Sequence, residues 1–296
     1  GKEDATIASL VFGVTQKGNY HDPERGYGYN ILFRTLSPEK IAASLRMAEP
    51  ELALRTESIC TRLFTAREQR VHPPVDDKVL CDWNGLCIAA LARAGRVFDE
   101  PAFIDAAKKA MQFILSKMRG GDGGLLHRYR NGNAAIFGFA DDYAFIIHAL
   151  IELYQTTFDE KFLASALELN EYFTGHFWDR QKGGFFPVSD MSEPLIISRK
   201  EIYDGALPSA NSVAFMNLIR LSRLTGTVKS EENASLLLRS FTGMVNQSPS
   251  AYTWLLSGLD LASQSYEVVI VGKAEAADTK GMISALQTRY LPSVMV

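Results

Sequence analysis

DWNGLCIAALARAGRVFDE at residues 82–100 and DDYAFIIHALIELYQTTFDE at 141–160 decide the fold between them. Phe98-Asp99-Glu100 recurs as Phe158-Asp159-Glu160, an offset of 60 residues. At the same offset Trp83 falls on Tyr143 and Gly123-Gly124 on Gly183-Gly184, and LLHRYR at 125–130 superposes on FFPVSD at 185–190. Self-similarity at a fixed period marks a repeat architecture. Segments 82–98 and 141–157 are apolar on nearly every side, which predicts helices buried on both faces. The helices expected after them are one-sided. Phe103, Ala106, Ala107, Ala110, Met111 and Ile114 stripe 101–118, while Phe162, Leu163, Ala166, Leu169 and Phe173 stripe 160–175. Each unit therefore reads as buried helix, turn, amphipathic helix and Gly-Gly hairpin. A looser third copy spans 210–247, with Thr225-Gly226 at its turn. The pattern predicts an all-α fold, an α/α toroid whose inner helix ends and hairpins line a central cavity.

Working outward, Ser37-Pro38-Glu39 is a helix start, a capping hydroxyl followed by proline, and 49–69 continues as a longer helix. At the other end Glu267–Gly272 is a β-branched run bounded by glycine, 275–290 reads as a helix, and Ser293–Val296 opens another strand. No linker or charge block divides the chain. The expected organisation is a single domain over 1–296: an irregular opening segment 1–36, helical hairpins over 37–263, and a strand–helix–strand end over 264–296.

The 296 residues are 47% hydrophobic and 22% charged, the mix of a globular chain able to bury a sizeable core. A net charge of -3 gives no long-range attraction to nucleic acid or anionic lipid, so neither is an expected partner. Cys60, Cys81 and Cys87 show no CxxC spacing and read as buried thiols in a reducing, cytoplasmic setting. No apolar run approaches the roughly 18 residues needed to span a bilayer.

The starts of the buried helices are unusually polar. They are Asp76-Asp77-Lys78 leading to Asp82-Trp83-Asn84, then Asp141-Asp142-Tyr143, then Asp204 leading to Ser209, Asn211 and Ser212. Asp, Asn and Ser are preferred caps and acids suit the helix dipole, so one acid per start needs no other cause. Adjacent pairs exceed that need. Carboxylates accept hydrogen bonds from sugar hydroxyls and aromatic faces pack on a pyranose, and two carboxylates can serve as acid and base in glycoside hydrolysis. An epimerase or isomerase needs a base near neutral pH, and two histidines qualify. His148 shares a stripe with Asp141, pointing into the cavity or sitting in the core. His127 lies in a hairpin strand with Tyr129 on the same side. His21, His72 and His176 read as loop residues. Arg199, in the segment Ile197–Asp204, suits a ligand carboxylate or phosphate, or pairs within its loop. No HExxH, HxH or Cys/His spacing supports a metal, no GxSxG supports a serine hydrolase, and no cofactor is expected.

VTQKGNY at 14–20, DDKVLCDWNGL at 76–86, ADDYAFI at 140–146, DGALPSANSVA at 204–214 and EVVIVG at 267–272 resemble the YyaL-type thioredoxin-domain-containing proteins and their spermatogenesis-associated animal relatives. The likeness runs in order over about 6–296, its last piece being Tyr290-Leu-Pro292. It implies an (α/α)6-type barrel similar to N-acylglucosamine 2-epimerases and six-hairpin glycosidases, incomplete here, with the first helices and a final element outside this chain. A thioredoxin-like domain precedes the barrel in that family and is the implied partner in the full-length protein. Two departures stand out: Pro208-Ser209-Ala210-Asn211-Ser212 carries alanine where the family has glycine, and the histidine pair of true N-acylglucosamine epimerases does not map by motif onto His127, His148 or His176.

The expected function is a carbohydrate-active, epimerase- or isomerase-like barrel. His127, His148 and Asp142 are its catalytic candidates, and Asp77, Trp83, Asn84, Tyr143, Arg199, Asp204 and Asn211 line its sugar pocket. A non-catalytic glycan- or protein-binding barrel and an inverting glycoside hydrolase remain alternatives.

Overall fold

A computed structural model of the chain describes residues 1–24, 26–193, 198–287, 289 and 291–296. Ile197 and Tyr290, both used in the sequence reading, lie outside the described residues. The fold divides into two compact units, Gly1–Asp76 and Asp77–Val296.

In the first unit, α1 (Lys2–Phe12) precedes an antiparallel pair, β1 (Tyr20–Asp22) and β2 (Gly26–Tyr29), and then α2 (Pro38–Leu45) and α3 (Glu49–Glu68). Helix α1 stands in the segment expected to be irregular. Ile7, Val11, Ile41, Ala42, Leu52 and Ile59 form its core. Arg55 pairs with Glu3 and Asp4, and Arg62 with Asp4, tying α3 to the start of α1.

The second unit is built on helical hairpins. Strand β3 (Val79–Leu80) leads into α4 (Cys81–Phe98), which turns into α5 (Pro101–Lys117). Strands β4 (Leu126–Arg130) and β5 (Asn133–Phe137) then lead into α6 (Ala140–Thr157) and α7 (Glu160–Phe177), followed by α8 (Ala210–Thr225) and α9 (Val228–Gln247). Helix α10 (Thr253–Ser263), strand β6 (Tyr266–Glu267), helix α11 (Ala277–Gln287) and strand β7 (Val294–Met295) complete it, β6 and β7 pairing in parallel.

Helices α4, α6, α8 and α10 pack in sequence as an inner row, while α5, α7 and α9 each pack behind the inner helix they follow. Burial matches that layering for α6, which is buried on every side from Asp142 to Leu153. The outer helices bury single stripes at helical spacing, such as Ala166, Leu169, Phe173 and Phe177. Helix α4 departs from expectation. It buries Cys81, Gly85, Ile88, Ala89, Ala92 and Gly95 but exposes Trp83, Val97 and Phe98, because α6 flanks it on one side only within this unit. The same open face leaves Cys87 exposed, as is Cys60 on α3; only Cys81 is the buried thiol expected.

The repeated Phe-Asp-Glu marks the turn from inner to outer helix. Asp99 and Phe158 end α4 and α6 in the left-handed conformation, at φ 53° and 55°. Glu100 and Asp159 then cap α5 and α7 through their side chains. Each Gly-Gly pair closes a tight turn, bridged by Arg119 with Leu125 and by Trp178 with Phe185. Among the described residues only the first turn is followed by a strand pair, β4–β5; FFPVSD instead packs through single backbone bonds such as Ala140 N–H to Pro187 O at 3.0 Å. The expected strand over 267–272 contracts to Tyr266–Glu267. His21 lies in β1, and His176 lies in the last turn of α7, where its Nδ1 is 2.8 Å from Asp190 Oδ1.

Candidate active site

The three-stranded sheet sets the geometry. Its order is β3-β4-β5, all antiparallel, with Val79 opposite Tyr129 and Leu80 opposite Arg128. Strand β3 runs directly into α4 and β5 leads to α6, so the middle strand β4 lies between the segments that start the two inner helices. Alternation along β4 then puts His127 over those starts.

Asp142 is the centre of the cluster. It is fully buried in the first turn of α6, where its Oδ2 accepts the Phe139 N–H at 2.7 Å, the reaching-back half of a capping box. Its Oδ1 accepts the Asp82 N–H from the first turn of α4 at 2.8 Å. His127 Nδ1 stands 3.1 Å from both oxygens. One carboxylate thus caps its own helix, clasps the neighbouring helix and fixes an imidazole. The ring also meets the edge of Phe139, with centroids 5.0 Å apart. With Nδ1 held by Asp142, the other ring nitrogen, Nε2, is the group left for chemistry.

The electrostatics follow from crowding. The hydrogen bond to Asp142 raises the pKa of His127, with the charges of Asp142, Asp82 and Asp141 adding to it against partial burial. Desolvation, then the charge of Asp142, raises Asp82. Asp141 is pushed up to about 6 by loss of hydration around its carboxyl, then by Asp142 and Asp82, with the Ala210 backbone N–H opposing. Near neutral pH the rim therefore holds an acid and a base whose ranges meet. Asp82, His127 and Asp142 bring ligand atoms within 4.8 Å of one another, the dimensions of a metal trio. Both oxygens of Asp142 already carry two contacts each, so the donor set fits an oriented histidine better than an ion.

The other predicted residues separate into two groups. Trp83 stays at the rim, 59% exposed beside Asp82. Asp77 remains largely exposed and pairs with Arg130 Nε at 2.6 Å. Arg199 is exposed in the segment before α8. The rest serve the fold. Asn84 donates its amide to Leu80 O at 2.8 Å. Tyr143, expected to face a sugar, is 2% exposed; its hydroxyl accepts the Leu125 N–H at 2.8 Å and its ring stacks on Tyr172 and Phe173. Asp204 accepts the Ser209 N–H at 3.0 Å and the Trp254 N–H at 2.8 Å, holding the starts of α8 and α10. Asn211 is buried, accepts the Phe185 N–H at 2.7 Å and donates to Glu201 O at 2.8 Å. His148 lies six residues beyond Asp142, roughly 9 Å down the helix. It is buried against Arg220, and desolvation followed by the Arg220 charge lowers it to about 4.

Asp82 and Asp141 were legible only as part of an acidic rim; their roles depend on Asp142, which the sequence places 60 residues from one and next to the other. The buried pair Glu152–Arg220, at 2.9 Å, went unread. Its signal is a charge at mid-helix or beyond, following each of two largely apolar stretches, 143–151 and 213–219.

No protein-family model matches the chain. It is similar to human spermatogenesis-associated protein 20, at 31% identity over 297 aligned positions that cover 95% of this chain and 38% of that protein. The chain therefore spans little more than a third of the length of that relative. Among solved structures it is similar to cellobiose 2-epimerase from Bacillus thermoamylovorans, with a TM-score of 0.54 at 13% identity, covering 73% of this chain and 62% of that one. It is also similar to a GH76 α-mannanase of Bacteroides thetaiotaomicron, with a TM-score of 0.53 at 13% identity over 97% of this chain and 81% of that one. These likenesses establish the fold: an α/α toroid of the six-hairpin glycosidase and epimerase kind.

Proposed function

We propose that the chain is the barrel region of a protein of the spermatogenesis-associated protein 20 kind, and that its rim moves protons on a carbohydrate by way of His127. A thioredoxin-like domain elsewhere in the full-length protein belongs to the same proposal. The observation that carries the chemistry is a buried carboxylate, Asp142, holding His127 Nδ1 with both oxygens at 3.1 Å while Asp82 and Asp141 crowd the same rim. The toroid shared with a cellobiose 2-epimerase supports a sugar as substrate.

Between about pH 6 and the raised value of His127, Asp141 rests as a carboxylate and His127 as an imidazolium. With both groups raised, the carboxylate is the base and the imidazolium the acid in that window. In an epimerisation, Asp141 would remove the proton at the carbon next to the carbonyl of an open-chain aldose, leaving an enediolate. His127 Nε2 would return a proton to the opposite face. Solvent exchange then restores both groups. Trp83, exposed next to Asp82, would pack on the sugar.

The test is incubation with N-acylglucosamine, mannose and cellobiose in deuterated water, following deuterium at C2 by NMR. Exchange is expected with at least one sugar, with a bell-shaped pH profile whose acid limb lies near 6 and whose alkaline limb reports His127. His127→Asn is expected to slow it about 100-fold or more. Absence of exchange with all three sugars sinks the epimerase reading. A second reading, inverting hydrolysis, rests on Asp82 and Asp141 both being raised. Release of reducing sugar from mannan or an oligosaccharide without C2 exchange would select it.

A further inference from the structure

The far end of the inner row holds a second feature that the rim chemistry does not use. Arg93 and Arg96 lie in the last turns of α4, roughly 16 and roughly 21 Å along the helix from Asp82. They open with Arg220, His148, Trp254 and Met216 onto a cavity of about 760 Å³. Three guanidinium groups here share one carboxylate. Glu152, fully buried, receives Arg93 at 2.7 Å, Arg220 at 2.9 Å and Arg96 at 3.5 Å. Asp260 and Arg289, one charge of each sign, also line the cavity. Arg220, only 3% exposed, is balanced by Glu152, so the surplus positive charge lies on Arg96 and the more exposed Arg93, toward the cavity. An anion in the cavity would balance that surplus.

The hydrogen-bonding inventory points the same way. Arg220 Nη2 donates to Gln155 at 2.6 Å and its Nη1 meets His148 Nδ1 at 3.3 Å, but its Nε–H has no partner. The indole N–H of Trp254, also buried, has none either. Arginine has no acceptor, so His148 Nδ1 must be the acceptor and the ring proton sits on Nε2. Trp254 meets the edge of that ring, with centroids 5.6 Å apart. A cavity lined by three guanidinium groups, with two partnerless donors buried in the residues of its wall, suits an acceptor carrying negative charge.

We propose that this basin binds an oxyanion, a phosphate or carboxylate head on an organic ligand whose apolar body lies against Met216 and Trp254. The site is independent of the rim and of the proposed proton transfer. Arg220→Gln would unbalance buried Glu152 and endanger folding, so the test uses Trp254→Phe, which keeps the ring and removes the donor, and Arg96→Gln. Binding of inorganic phosphate and of succinate is measured by calorimetry on the full chain, at ionic strength held constant with NaCl and with glucose as the neutral comparison. Binding of at least one anion is expected, weakened about tenfold in each variant and unchanged in His127→Asn. Response to phosphate alone identifies a phosphate ester head, and response to succinate alone a carboxylate; either supports the site. The proposal is overturned by heats indistinguishable from NaCl for both anions, by variants that bind like the parent chain, or by loss of binding in His127→Asn.

Discussion

Asp142 and Asp141 are neighbours with opposite duties. Asp142 is spent on structure, accepting two backbone N–H groups and anchoring His127, while Asp141 carries the cost of lost hydration and then of standing next to it. Its folded pKa, about 6, lies above the ordinary 3.8. Its penalty is therefore absent below pH 3.8, where both folded and unfolded chains hold the proton, and complete above about 6. Asp141→Asn is accordingly expected to leave Tm unchanged near pH 3.5 and to raise it at pH 8, while abolishing exchange chemistry. A higher Tm at both pH values would mean the gain owes nothing to the charge. The doubled acid at 141–142 was readable as a surplus over capping. Which of the two served the helix was not, because that depends on Asp82 and Phe139 N–H groups brought in by other elements.

A close approach of two backbones holds the elements in register. Gly85 lies where α4 crosses α6, and a Cβ there would stand 2.8 Å from the Phe145 backbone. That approach is what lets the Asp82 N–H reach Asp142. Gly85→Ala gains about 1 kcal/mol in helix propensity, but overpacking against rigid backbone costs about 1–3 kcal/mol. The expected net result is a lower urea midpoint with m unchanged, and a His127 pKa that falls toward 6.5 as the clasp opens, followed by NMR. A midpoint at or above the parent's would show that α4 and α6 are free to part. The helices themselves were legible, since 3.6-residue stripes and a preserved 60-residue period survive divergence. Strand β3 is two residues long and too short to carry a pattern, yet it delivers α4 to the sheet. The open face of α4 was hidden for a different reason: apolar composition does not say how many neighbours a helix has.

At the scale of the whole molecule, a net charge of -3 conceals two separated accumulations of opposite sign. Asp82, Asp141 and Asp142 gather where the inner helices begin, and Arg93, Arg96 and Arg220 gather where α4 ends and α8 passes. Sequence arithmetic gave the mean and the repeat gave the acidic rim. The basic basin needed three helices, because Arg93, Arg96 and Arg220 are 59, 56 and 68 positions from Glu152 and no local motif links them.

Cys81 opens α4 with no exposure, pressed beneath Asp142 and Asp82, while Cys60 and Cys87 face solvent. Burial, then the two nearby negative charges, keep its thiol well above the ordinary range. The chain thereby contains its own clock. With a thiol reagent followed by mass spectrometry, two adducts are expected promptly and a third only as fast as the start of α4 comes loose. If all three appear together, the clasp is open in solution. A ligand at the acidic rim should slow the third event, and one in the basic basin should act on it only through the stability of the unit as a whole.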